Sequence, residues 1–241
     1  MSTAGLLVIG NEILSGKVVD TNSPYLAREL RELGVDLERI LTIPDEVDLI
    51  AREVRAMSES YDFVFTSGGI GPTHDDMTMV AIAQAFGREI EENASMMDRM
   101  ARAQGKPPNE SQRKMAMIPD NAVLIDSGDL WFPIVVVENV HIFPGIPELL
   151  QKKFASMRER FRGIPFQLSR VYVTSSESDI AESLNALLGD FPELMLGSYP
   201  RIGEEHYRVL LTLESRDADY LQAAVASLLE RLPPDAIHRV E

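Results

Sequence analysis

Two observations place the chain in the α/β class. Its first two-thirds alternates short apolar runs with helical patterns in the order βαβαβ. That order predicts a mostly parallel sheet with helices on both faces, a three-layer α/β/α sandwich. The last third changes to β-α-β-β-α-β, the ferredoxin-like order of a small α+β domain. The change falls at Gly163 to Pro165, so two domains are expected, 1–163 and 167–241.

Leu6 to Ile9 is a continuous apolar run ending at Gly10, which reads as a buried strand. A helix follows, with Ser23 as its cap, Pro24 in the first turn and Gly34 as its stop. Leu37 to Ile43 is a second strand, closed by Pro44. Asp48 to Ser58 is helical, with Ile50, Val54 and Met57 on one face. Phe63 to Phe65 lies in a third strand that runs into a glycine-rich loop. Helices are expected over Met77 to Phe86, Ala94 to Gln104 and, after Pro107-Pro108, Asn109 to Met117. Val123 to Ile125 reads as a short strand, and Trp131 to Val137 with Val140 to Phe143 as a hairpin around Glu138-Asn139.

A helix from Glu148 to Arg160 carries Lys152, Lys153, Arg158 and Arg160. Those cations read as a solvated face, favoured towards a helix C-terminus. His141 reads as a packing residue, and Trp131 and Phe132 as core or subunit interface. In the second domain, strands fall at Leu168 to Thr174, Leu194 to Ser198, Tyr207 to Leu213 and Ile237 to Val240. Its helices fall at Ile180 to Leu188 and Ala218 to Arg231.

Composition narrows the function. The 23 basic and 38 acidic residues leave a formal charge of −15. That balance opposes a phosphate backbone or an anionic membrane surface as partner. Cysteine is absent, which removes disulfides, thiolate catalysis and Cys-held metals. No secretory leader or membrane-span pattern is seen at the sequence level, so a cytoplasmic location is expected. No nucleophile elbow, H-E-x-x-H pattern or P-loop occurs.

The densest polar segment runs from Thr66 to Thr78, between a strand and a helix. Gly68, Gly69 and Gly71 let backbone approach a ligand, and the following helix N-terminus favours anions. Ser67, Thr73 and Thr78 add hydroxyls. Asp75 and Asp76 are out of place beside phosphates unless a hard divalent cation bridges the two. Three further loops follow strands: Gly10-Asn11-Glu12 with Lys17 as a possible cation, Pro44-Asp45-Glu46, and Pro144-Gly145-Ile146-Pro147. In an open parallel sheet, all four converge on the carboxyl-end rim where ligands bind. Asp45 alone reads as a turn or cap residue or as a metal contact, and His74 as a loop histidine or a base.

As an ordered set, these motifs resemble the competence/damage-inducible protein A (CinA) family. The resemblance rests on Gly10 to Gly16, Asp20-Thr21-Asn22, Asp45, Ser67 to Thr73 with Asp75-Asp76-x-Thr78, Asn109-x-x-Gln112 and Pro144 to Pro147. It covers roughly Leu6 to Phe161 and implies the molybdopterin-binding fold shared with MoaB/MogA-type proteins. It also implies a divalent metal (Mg, Mn or Co) held by Asp76 and Asp45, with Asp75 assisting. Ligand contacts would come from Gly10, Asn11, Glu12, Lys17, Ser67, Gly68, Gly69, Gly71, Thr73, Thr78, Asn109, Gln112, Pro144 and Gly145. The implied activity is hydrolysis of a nucleotide pyrophosphate such as ADP-ribose or FAD. A pterin or nucleotide carrier and a molybdopterin adenylyltransferase are the alternatives. Asp126 to Pro133 departs from the usual CinA pattern towards the FAD-synthase type. The amidase and FAD-forming domains of longer relatives have no counterpart in the sequence, so neither activity is expected. Single-domain relatives of this fold associate, so a homodimer or higher homo-oligomer is expected.

Overall fold

The computed structural model describes residues 2–128 and 130–241. The chain separates into two compact units, one ending at Gly163 and the other beginning at Ile164. The elements of the first, in order, are β1 (Thr3–Ile9), α1 (Asn11–Leu14), α2 (Asn22–Glu32), β2 (Asp36–Ile43), α3 (Val47–Ser60), β3 (Phe63–Ser67) and α4 (Thr78–Phe86). Then come β4 (Ile90–Glu92), α5 (Ala94–Gln104), α6 (Glu110–Lys114), β5 (Met117–Pro119), β6 (Val123–Ser127), β7 (Leu130–Val137), β8 (Val140–Phe143) and α7 (Pro147–Met157).

Six strands form one sheet in the order β2-β1-β3-β8-β7-β6. The pairs β2–β1, β1–β3 and β3–β8 are parallel, and β7 and β6 continue the sheet antiparallel. Alternation along β1 divides the core in two. Leu7 and Ile9 pack with Ile50, Val54 and Met57 of α3 and Ile82 of α4. Leu6 and Val8 pack on the other face with Leu26 and Leu30 of α2 and Phe154 of α7. Such a sheet, buried on both faces, needs the continuous apolar runs that the sequence shows.

Several local expectations are corrected. Asp20, not Ser23, caps α2: its Oδ1 accepts from the Asn22 and Ser23 amides at 2.9 and 3.0 Å. The helix after Asn109 stops at Lys114, because Met117 to Pro119 pair with Ile90 to Glu92 in a two-stranded ribbon. Asn11–Leu14 adds a single helical turn. His141 packs as expected, among Phe63, Phe65 and Phe161, and burial pushes its pKa down to about 4.

β7 carries the main irregularity. Ile125 pairs with Ile134 and Ser127 with Leu130, so three residues, Trp131 to Pro133, oppose one residue of β6. Pro133 has no N–H to give the ladder, which is why a proline inside a strand sits at a bulge.

In the second unit, β9 (Gln167–Val173), α8 (Glu177–Asp190), β10 (Met195–Pro200), β11 (Val209–Ser215), α9 (Ala218–Arg231) and β12 (Ile237–Val240) follow the split βαβ order. Its antiparallel sheet runs β10-β11-β9-β12 and packs one face on α8 and α9 through Val171, Leu211, Ile180, Leu187, Ala224 and Leu228. No helix among the described residues is long and apolar enough to cross a membrane.

Phe161 is the last large side chain in the core of the first unit, stacked on Phe154 with ring centroids 5.7 Å apart. A segment ending at Gly163 is therefore expected to fold alone with a cooperative urea transition. One ending at Met157 lacks Phe161 and should lose about 3–5 kcal/mol, the scale of deleting a buried phenylalanine.

Candidate functional site

Parallel pairing brings four loops to one rim. The Gly10 amide donates to Ile43 O at 3.1 Å, and the Asn11 amide to Asp45 Oδ2 at 2.8 Å, tying the first two loops. The Gly68 amide donates to Phe143 O at 3.1 Å. Asn22, buried at the start of α2, spans the remaining gap. Its Nδ2 donates to Ser67 Oγ at 2.9 Å and to Gly145 O at 2.8 Å.

The glycine loop is held from within. The Thr78 hydroxyl donates to Gly68 O at 2.9 Å, and the Thr78 amide to Gly69 O at 3.0 Å. Gly68 has φ +107°, and a Cβ there would lie 2.1 Å from Ile9 O, so no other residue fits. Asp76 Oδ2 accepts from the Thr73 amide at 2.7 Å and lies 2.5 Å from its hydroxyl oxygen. Asp76 thus braces the loop and does not cap α4, which has no side-chain cap. The Thr73 hydroxyl also reaches Asp75 Oδ1 at 2.6 Å and holds that carboxyl below its ordinary value.

A cleft of about 560 Å³ opens over this loop. Gly68, Gly69, Gly71, Pro144 and Gly145 line one part, with the carboxylates of Glu12 and Asp76. Met115, Leu130, Trp131, Phe132 and Ile146 line the apolar part. Lys153 also lines it and is the one cationic side chain to do so among the described residues.

Several expected contacts lie elsewhere. Thr78 and Ser67 are buried and spend their hydroxyls inside the loop frame. Gly10, Asn11, Lys17 and Thr73 lie outside the cleft lining. Asn109 and Gln112 satisfy each other in a capping box, each side-chain oxygen accepting the other's amide at 2.9 Å. Asp45, Asp75 and Asp76 are not gathered into a metal cage. Among the described residues, no three His, Asp or Glu side chains group to hold an ion.

Lys153 departs from the solvated-face reading, which Lys152 and Arg160 keep as exposed residues. Lys153 is 2% exposed, and its Nζ donates to Phe132 O, to Pro133 O at 2.9 Å and towards Ser127 Oγ at 3.5 Å. The bulge at Pro133 leaves these carbonyls outside the ladder, and the buried ammonium satisfies them. The same bulge turns Trp131 and Phe132 into the cleft wall. Proline within a predicted strand was the sequence signal for this feature.

Two tests follow. Gly68→Ala should lose at least about 3 kcal/mol in urea unfolding, since clash and strain add there. Gly16→Ala, with φ +71° and open space around it, should lose only about 1 kcal/mol. Burial pushes the Lys153 pKa down to about 7 from 10.5. Between those values the unfolded chain binds the extra proton, so wild-type stability gains with rising pH. Relative to Lys153→Met, the gain should be about 0.7 kcal/mol per pH unit near pH 7 and approach about 1.4 kcal/mol per pH unit above about pH 8. Melting curves of both proteins from pH 6 to pH 9 measure it.

The probable molybdopterin binding domain matches residues 5–170, and the FAD synthase middle domain matches residues 165–241. A protein of Archaeoglobus fulgidus is 34% identical over 94% of this chain and 96% of its own length. A probable FAD synthase of Caenorhabditis elegans is 33% identical over 95% of this chain. The chain spans about half, 50%, of that relative's length. The crystal structure of the protein CinA from Thermoplasma acidophilum is 29% identical, with a TM-score of 0.61, over 66% of this chain and 98% of that one. With its rim of strand-end loops and a family match over most of its length, the chain belongs to the molybdopterin-binding domain family as a CinA-like member related to FAD synthases.

Proposed function

We propose that the cleft hydrolyses a nucleotide pyrophosphate of the ADP-ribose or FAD type with the help of a divalent cation. The observation that carries this reading is the pairing of a bare glycine backbone with two carboxylates, Glu12 and Asp76, in one cleft. Backbone amides suit phosphate oxygens. Carboxylates beside them suit a magnesium-type ion, which takes one or two protein carboxylates and completes its shell with substrate phosphates and water. The absence of a three-carboxylate cage among the described residues fits an ion that arrives with the substrate.

Asp76 and Glu12 would hold that ion, and Asp45 would act from behind by fixing the Asn11 amide and so the Gly10 loop. A bound cation neutralises phosphate charge and polarises the phosphoryl group. The loop amides orient the pyrophosphate and offset charge developing on its oxygens. Water oxygen bonds to one phosphorus, the bridging P–O bond breaks, and two phosphate monoesters leave. A protein of charge −15 repels such substrates at a distance, so local cations and amides must supply the attraction.

Asp76→Asn keeps an acceptor for Thr73 and removes the negative charge. Turnover of ADP-ribose or FAD with magnesium, manganese or cobalt should fall by about 100-fold or more, with little change in melting temperature. Asp45→Asn keeps the Asn11 hydrogen bond and should cost only a few-fold. Tight nucleotide binding by wild type without any monophosphate product would instead identify a carrier.

A further inference from the structure

We propose that the apolar part of the cleft is a subsite for a planar heteroaromatic ring bearing a carbonyl, and that Lys153 recognises that carbonyl. The proposal rests on the reading that the ligand's phosphates lie against the glycine loop. From there, the same cavity continues onto Trp131, Phe132, Met115, Leu130 and Ile146. A bare sugar would bury hydroxyls against these side chains without partners. A flat ring loses nothing there and gains the stacking and area that aromatic walls provide.

Lys153 adds selectivity. An ammonium has three donors and no acceptor. Two donors are taken by Phe132 O and Pro133 O, which the bulge fixes in place. The third reaches only Ser127 Oγ, at 3.5 Å, the outer limit of a hydrogen bond. Ser127 has its own bond to Phe132 O at 2.8 Å, so it loses little if the lysine turns to a better acceptor. A ring carbonyl, as in a flavin, a pterin or guanine, is such an acceptor. Adenine is not its equal, because its N1 and N7 flank an amine whose hydrogens would face the ammonium. The site therefore favours oxo-rings over adenine, and a pyrophosphate with a carbonyl-bearing ring over one ending in a sugar.

Calorimetric titration of the full chain below pH 7, on the protonated side of the Lys153 pKa of about 7, with FMN, GMP and AMP tests this, all three being monophosphates. GMP and AMP hold ring size constant. FMN and GMP are expected to bind about tenfold or more tightly than AMP, the scale of one hydrogen bond from a charged donor. Lys153→Met should bring GMP and AMP to parity. Equal binding of GMP and AMP by wild type would overturn the proposal, and needs no variant to fold. A preference that survives in folded Lys153→Met would overturn the role of the lysine. Oxo-ring preference in a protein that hydrolyses no dinucleotide would support the subsite and sink the pyrophosphatase reading alone.

Discussion

Four strands running the same way impose the central constraint on this molecule. Because β2, β1, β3 and β8 pair in parallel, their carboxyl ends share one edge of the sheet. Everything that follows those strands must turn at that edge. The turns then have to be held apart from each other and in place, and backbone bonds between neighbouring strand ends do only part of this. Asn22 closes the gap from α2, and Asp45 closes another from behind. Asn22 is buried and Asp45 half-buried, and the two explain how loops from distant stretches of chain present one surface.

The far wall of the cleft depends on a second arrangement of opposite character. Strand pairing there is interrupted by Pro133, and the interruption exposes carbonyls that a buried setting does not tolerate. Lys153 answers them from α7 across the sheet face. Burying an ammonium is unfavourable by itself, as its lowered pKa records, and is sustained by the acceptors and by the Phe132 ring 4.8 Å away. Stability is thus given up locally at the place where two aromatic side chains leave the sheet to form a wall. Such exchanges mark sites where a fold serves a ligand.

The sheet, its order of elements and the rim of loops were legible because each depends on short-range pattern. Apolar runs, glycine stops and the Glu138-Asn139 turn are read over a few residues. The glycine loop was legible for the same reason. What escaped reading depends on partners far away in sequence. Lys153 looked like its neighbour Lys152, since nothing within α7 records carbonyls 20 or 21 residues earlier. The three-residue strands β4 and β5 exist only because they meet each other. Asp45 owes its role to an amide 34 residues away. Asn109 and Gln112 show the converse: their spacing spells a capping box, a purely local arrangement.

The wall built at Pro133 also gives the molecule an optical property. Trp131 is the chain's single tryptophan, and it lines the cleft. Emission excited at the red edge of protein absorption therefore comes from one indole at one place. Its wavelength reports how wet the cleft is, and its intensity reports what stands against the ring. The protein carries a built-in lamp in the wall of its cleft, so the entry and exit of any molecule that stands against that wall can be followed in real time without a label.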